Sequence, residues 1–151
     1  NIHAYVFGEH GDTSFIPWSG AYVSGVSLDE YYETVEKMGK NVTKIDKDAM
    51  LEYVRTSGGQ VIANKGATFY AVSVAVCKLV ATILSSSDSV ATVSSMMHGE
   101  YGIEDVCLST LTLVGPKGVQ GKIPMRMTKE EVEKLKASAD ALKAVIAQIE
   151  H

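Results

Sequence analysis

The chain has 151 residues, 46% hydrophobic and 21% charged, with a formal net charge of −4. That length suits one domain with a real core, and an acidic balance without a basic block argues against nucleic acid as a partner. The opening Asn1-Ile2-His3 has neither the basic nor the apolar run of a secretory leader, and no methionine precedes it. The expectation is a piece of a longer protein, or a processed product, from the cytoplasm. Cys77 and Cys107 form no metal-type or redox pair, so both are expected to be small core residues in a reducing compartment.

In chain order, His3 to Phe7 reads as a strand that exits into Gly8-Glu9-His10-Gly11-Asp12-Thr13. The two glycines there permit a sharp turn or close backbone approach. Ser27-Leu28-Asp29-Glu30 is a capping box that predicts a helix to about Met38, ended by Gly39. Asp46 opens a second helix, which Gly58-Gly59 interrupts or kinks before it resumes towards Asn64 and stops at Gly66. Thr68 to Leu84 is apolar around most of its girth, which predicts a buried helix. Lys78 lies inside the run and argues against a membrane span.

Val90 to Met97 and Val106 to Val114 then read as strands. Gly115-Pro116-Lys117-Gly118 turns the second into a returning strand, Val119 to Ile123. Thr128 caps the last helix with Glu131 three residues on. Val132, Leu135, Ala139, Leu142, Ile146 and Ile149 form its apolar stripe. Strands and helices segregated in this way predict an α+β fold, with antiparallel strands packed against long helices. Residues 1–151 form a single domain on this reading.

His10 is the first candidate for chemistry. An imidazole titrates near neutral pH, and this one sits between two glycines and two carboxylates on a strand-to-loop exit. Exits of that kind often carry function, although a lone histidine is more commonly structural. His98 and His151 stand apart, and no closely spaced ligand set indicates a metal.

The resemblance to a known family rests on three collinear segments. Gly8-Glu9-His10-Gly11-Asp12-Thr13, followed by Pro17-Trp18-Ser19, resembles the active-site signature of L-lactate dehydrogenases. Lys65-Gly66-Ala67-Thr68-Phe69-Tyr70-Ala71 resembles that family's helix start beside the substrate. Gly99-Glu100-Tyr101-Gly102-Ile103-Glu104-Asp105-Val106 resembles its later strand–turn segment. Together they span nearly the whole chain and imply the C-terminal, substrate-binding domain of the lactate/malate dehydrogenase type.

The resemblance implies NAD-dependent interconversion of pyruvate and L-lactate, a step of glycolysis and fermentation. His10 is implied as general acid and base, since a protonated imidazole polarises a carbonyl and then donates its proton. Thr68 is implied in the substrate pocket; its plain alternative is a helix-start residue. Val72 is implied beside the nicotinamide, with core packing as its alternative. His3 matches a histidine that helps bind fructose 1,6-bisphosphate in bacterial allosteric members, with a surface histidine as its alternative. A homotetrameric parent is also implied.

Several parts of the family pattern are missing. No Gly-x-Gly-x-x-Gly follows a strand, so the NAD-binding Rossmann domain is expected to be absent from this chain. Neither Arg55 nor Arg126 lies in the family's carboxylate-clamping motif. Asp12 is rejected as the aspartate that partners His10, because the family places that residue upstream. The chain alone is therefore expected to be inactive. Alternatives are a relative acting on malate or a branched 2-hydroxy acid, or a non-catalytic self-associating module. Glu9 beside the histidine favours the lactate branch, since the malate branch commonly has glycine there.

Overall fold

A computed structural model describes residues 1–149; His151 lies outside them. Its strands are β1 (Ile2–His3), β2 (Tyr22–Val23), β3 (Val26–Ser27), β4 (Ser89–His98), β5 (Glu104–Gly115) and β6 (Gly118–Lys122). Its helices are α1 (Leu28–Lys37), α2 (Lys47–Lys65), α3 (Tyr70–Leu84) and α4 (Lys129–Ile149). The strands form two antiparallel sheets, ordered β1-β2-β3 and β4-β5-β6. The α+β expectation holds.

The capping signals place the helices well. Ser27 Oγ accepts from Glu30 N–H at 3.3 Å, and Asp46 Oδ1 accepts from Asp48 and Ala49. At α4 the box is reciprocal: Glu131 Oε2 accepts Thr128 N–H at 2.8 Å, while Thr128 Oγ1 accepts Glu131 N–H at 3.2 Å. Gly66 ends α2 at φ 82°, a left-handed conformation that glycine takes without steric cost.

The core lies between β5, α4 and the chain's first loop. Strand alternation sends Val106, Leu108, Thr110, Thr112 and Val114 inwards, and all are buried. Leu135 and Ala139 on α4 meet Phe7, Phe15, Met97, Ile103, Val106, Leu108 and Leu111 in one cluster. A smaller cluster of Ala21, Leu28 and Tyr32 holds α1 against the first sheet.

Several expectations are corrected. The strand over His3 to Phe7 shrinks to Ile2–His3, with Phe7 making a single bridge to Phe15. The hairpin of β2 and β3, absent from the sequence reading, consists of two-residue strands, too short to show a period. Gly58-Gly59 does not interrupt α2, which runs through both; two glycines cost about 1 kcal/mol each relative to alanine, less than breaking the helix would.

Helix α3 starts at Tyr70, two residues beyond Thr68, and none of its residues is buried. Its apolar sequence calls for burial, but the helix packs mainly along β5, and none of its residues is covered by a second layer of the described residues. Cys77 and Cys107 are exposed for related reasons: one lies on α3, the other points away from the α4 side of β5. The stripe on α4 is buried at Leu135 and Ala139 but emerges by Ile146 and Ile149. No helix among the described residues is long and apolar enough to cross a membrane.

Candidate active site

The His10 loop is an excursion from an anchored stem. Phe7 and Phe15 exchange both backbone hydrogen bonds, at 2.8 and 3.0 Å. Gly8 and Ser109 of β5 do the same at 3.1 and 2.9 Å. Both phenylalanine rings are buried and meet edge to face, with centroids 6.4 Å apart, so the stem is locked by packing as well. Gly8 needs to be glycine twice over. Its φ is 99°, and a Cβ there would lie 2.7 Å from Ser138 Oγ on α4.

Polar contacts fix the rest of the loop. Glu9 Oε1 accepts from Thr13 N–H at 3.0 Å and Thr13 Oγ1 at 2.7 Å. Glu9 N–H donates to Ser138 Oγ at 2.7 Å. From α2, the Arg55 guanidinium donates to Ser14 O through Nε at 3.0 Å and also through Nη2. A strand and two helices thus hold the segment on either side of His10, and the imidazole is exposed to solvent.

The electrostatics favour a charged Glu9. The Thr13 N–H and hydroxyl pull its carboxyl below the ordinary value against a smaller opposing effect of burial, and the nearby His10 and Arg55 charges add to the lowering. No hydrogen bond joins Asp12 to His10 among the described residues.

The turn over Trp18–Gly20, which continues the His10 segment, is fastened to the start of α4. Ser19 N–H and hydroxyl both donate to the Glu131 carboxylate. Burial raises the Glu131 pKa, but the hydrogen bonds from Ser19 and Thr128 together bring it below the ordinary value.

Thr68 lies in the short junction between α2 and α3, exposed. Lys65 Nζ stands 4.7 Å from the centroid of Phe69 and 4.2 Å from that of Tyr70, so cation–π contacts span the junction. Val72 is 55% exposed, which excludes core packing for it within this chain. His3 is exposed on β1, opposite Tyr22. No hydrogen bond among the described residues brings His10, Thr68, Val72 or His3 into contact. A shallow cleft elsewhere, lined by Ser95, His98, Glu100 and Lys122, does not include His10. No group of three or more His, Cys, Asp or Glu side chains is placed to hold a metal among the described residues.

Sequence reasoning passed over Arg55, Thr13 and Ser138. Arg55 was weighed only as a substrate clamp. Ser138 did carry a signal: it lies three residues after Leu135 and four before Leu142, so it is a polar residue on the apolar face.

The α+β architecture with a loop-borne histidine defines a class of domain. A family model described as lactate/malate dehydrogenase, alpha/beta C-terminal domain, matches residues 1–151, and the chain belongs to that family. Among curated proteins it is 37% identical over 150 residues to an L-lactate dehydrogenase of Acetivibrio thermocellus, covering 99% of this chain and 46% of that protein. It is 40% identical over 150 residues to the L-lactate dehydrogenase of Thermoanaerobacterium saccharolyticum, covering 99% and 47%. Among solved structures it matches L-lactate dehydrogenase from Clostridium thermocellum with a TM-score of 0.81 and 34% identity, covering 100% of this chain and 47% of that one. It matches malate dehydrogenase from Archaeoglobus fulgidus in complex with NADH with a TM-score of 0.81 and 28% identity, covering 100% and 45%. The chain thus spans about half the length of the relatives it matches.

Proposed function

We propose that this chain is the catalytic-histidine half of an NAD-dependent L-lactate dehydrogenase, which reduces pyruvate to L-lactate, and that the dinucleotide is held by an N-terminal domain outside it. The observation that carries the reading is the His10 loop: a solvent-facing imidazole on a stem tied to β5, α2 and α4. Catalysis depends on groups held in a narrow geometry.

In this mechanism His10, as imidazolium, donates a hydrogen bond to the C2 oxygen of the 2-oxo acid. The charge polarises the carbonyl, and the proton passes to the oxygen as it becomes a hydroxyl. In the reverse direction neutral His10 takes the hydroxyl proton of lactate. Thr68 hydrogen-bonds the substrate from the α2–α3 junction.

The described residues fit the cofactor only in part. Val72 offers exposed apolar surface for a nicotinamide ring, but both sheets are antiparallel and provide no βαβ phosphate cradle. When bound, such a cofactor would be the source of the hydride for C2. The chain by itself is therefore inactive in this reading. The open apolar surface of α3 supports packing against the other half of the protein and against further copies in a tetramer. His3 binds fructose 1,6-bisphosphate as an activator. The setting is the cytoplasm, in fermentative glycolysis.

The test follows NADH oxidation by the longer protein with pyruvate, oxaloacetate and a branched 2-oxo acid, with and without fructose 1,6-bisphosphate. Expected are a preference for pyruvate, activation by the bisphosphate, and loss of roughly 100-fold or more of the rate in His10→Asn. Preference for another oxo acid overturns the substrate, and full activity in His10→Asn overturns the mechanism.

A further inference from the structure

Ser138 is fully buried in α4, yet both of its hydrogen-bond partners lie in the His10 loop. Its Oγ accepts Glu9 N–H at 2.7 Å and lies 3.0 Å from Thr13 Oγ1, which in turn lies 2.7 Å from Glu9 Oε1. An ionised carboxylate only accepts, and a hydroxyl has one proton to give. Thr13 Oγ1 therefore shares its one proton between Glu9 Oε1 and Ser138 Oγ, and Ser138 Oγ also accepts Glu9 N–H. Glu9, Thr13 and Ser138 thus form one closed set of hydrogen bonds between the His10 loop and α4.

A serine among Leu135, Ala139 and Leu142 costs stability unless it is partnered. Within a helix the ordinary partner is the carbonyl four residues back. Ser138 instead takes partners at the residue before His10 and three residues after it. The approach is close enough to exclude any side chain at Gly8.

We propose that Ser138 is a positioning residue for the reaction: through Thr13 and Glu9 it fixes the backbone on both sides of His10 and holds the Glu9 carboxylate beside the imidazole. This rests on the reading of His10 as the acid and base. Without the Ser138 hydroxyl, Glu9 N–H loses its acceptor and the Thr13 hydroxyl loses its orientation. The carboxylate then leaves its fixed seat, and the backbone on either side of His10 loses its tie to α4.

The test uses the longer protein with Ser138→Ala, Thr13→Val and Thr13→Ser. Expected for Ser138→Ala is a fall in kcat with pyruvate of roughly 10- to 100-fold, with little change in KM. Thr13→Val repeats that fall in kcat at little changed KM while leaving α4 untouched, so it decides the matter if Ser138→Ala fails to fold. Thr13→Ser keeps the hydroxyl and retains the wild-type kcat. A lower melting temperature with kcat unmoved overturns the proposal. His10→Asn separates the two readings: an active His10→Asn sinks the mechanism itself, whereas an inactive one beside a Ser138→Ala of unchanged kcat sinks only the positioning role.

Discussion

Helix α4 buries Leu135 and Ala139 against β5 and the first loop, whereas α3, whose only charged residue is Lys78, buries nothing. Composition alone ranks them the other way. The apolar residues of α4 follow one stripe that meets a sheet face made by this same chain. Those of α3 surround the helix, and only one side of it has a neighbour. Apolar surface is driven out of water wherever a partner exists, but the partner for most of α3 is not supplied by these residues. The difference teaches that an amphipathic stripe records which face of a helix meets its own domain, while an all-round apolar helix does not say where its partners lie.

The largest expected effect sharpens that contrast. Leu135→Ala should destabilise the 151-residue chain by about 2–5 kcal/mol, the usual cost of emptying a buried leucine site. Denaturant unfolding followed by circular dichroism measures it. A cost below about 1 kcal/mol would place the core elsewhere.

Next comes the polar end of α4. Glu131→Ala removes half of the capping box and the clamp on Ser19, and about 1–2 kcal/mol should be lost. The pH dependence has a definite sign. The folded-state pKa of Glu131 lies below its ordinary value of 4.5, so its contribution is full above the unfolded-state value and is lost as pH falls through the folded one. Acid unfolding of Glu131→Gln should therefore be shallower than that of wild type below about pH 4.5. Equal slopes would mean that the hydrogen bonds do not favour the charged form.

The smallest effect is expected on α3. Val80→Glu should change the stability of the isolated chain by no more than about 0.5 kcal/mol, as for other surface positions. The same substitution in the longer protein should cost more, because burying an unpaired charge is expensive. A large loss already in the isolated chain, together with concentration-dependent sedimentation, would show that copies of the chain cover α3 and would erase the contrast.

Local signals made much of the architecture legible. The boxes at Ser27–Glu30 and Thr128–Glu131, the Asp46 cap and the Gly66 stop depend on residues within a turn of one another. Inward alternation along Val106 to Val114 sets the register of β5 to within a few residues. The histidine loop was legible as a loop because glycines bracket it. The two-residue strands β1 to β3 were not, since strands so short leave no period behind.

The sequence by itself determined the element types, the α4 stripe and His10 as the candidate for chemistry, because each depends on propensity or spacing along the chain. Only the tertiary structure decided what holds His10 in place. Gly8 meets Ser109, Glu9 and Thr13 meet Ser138, and Ser14 meets Arg55. Those contacts join residues 41 to 129 positions apart, and no local pattern carries such a distance. Tertiary structure also decided that α3 stays open, because burial depends on what lies opposite a face and not on the face alone.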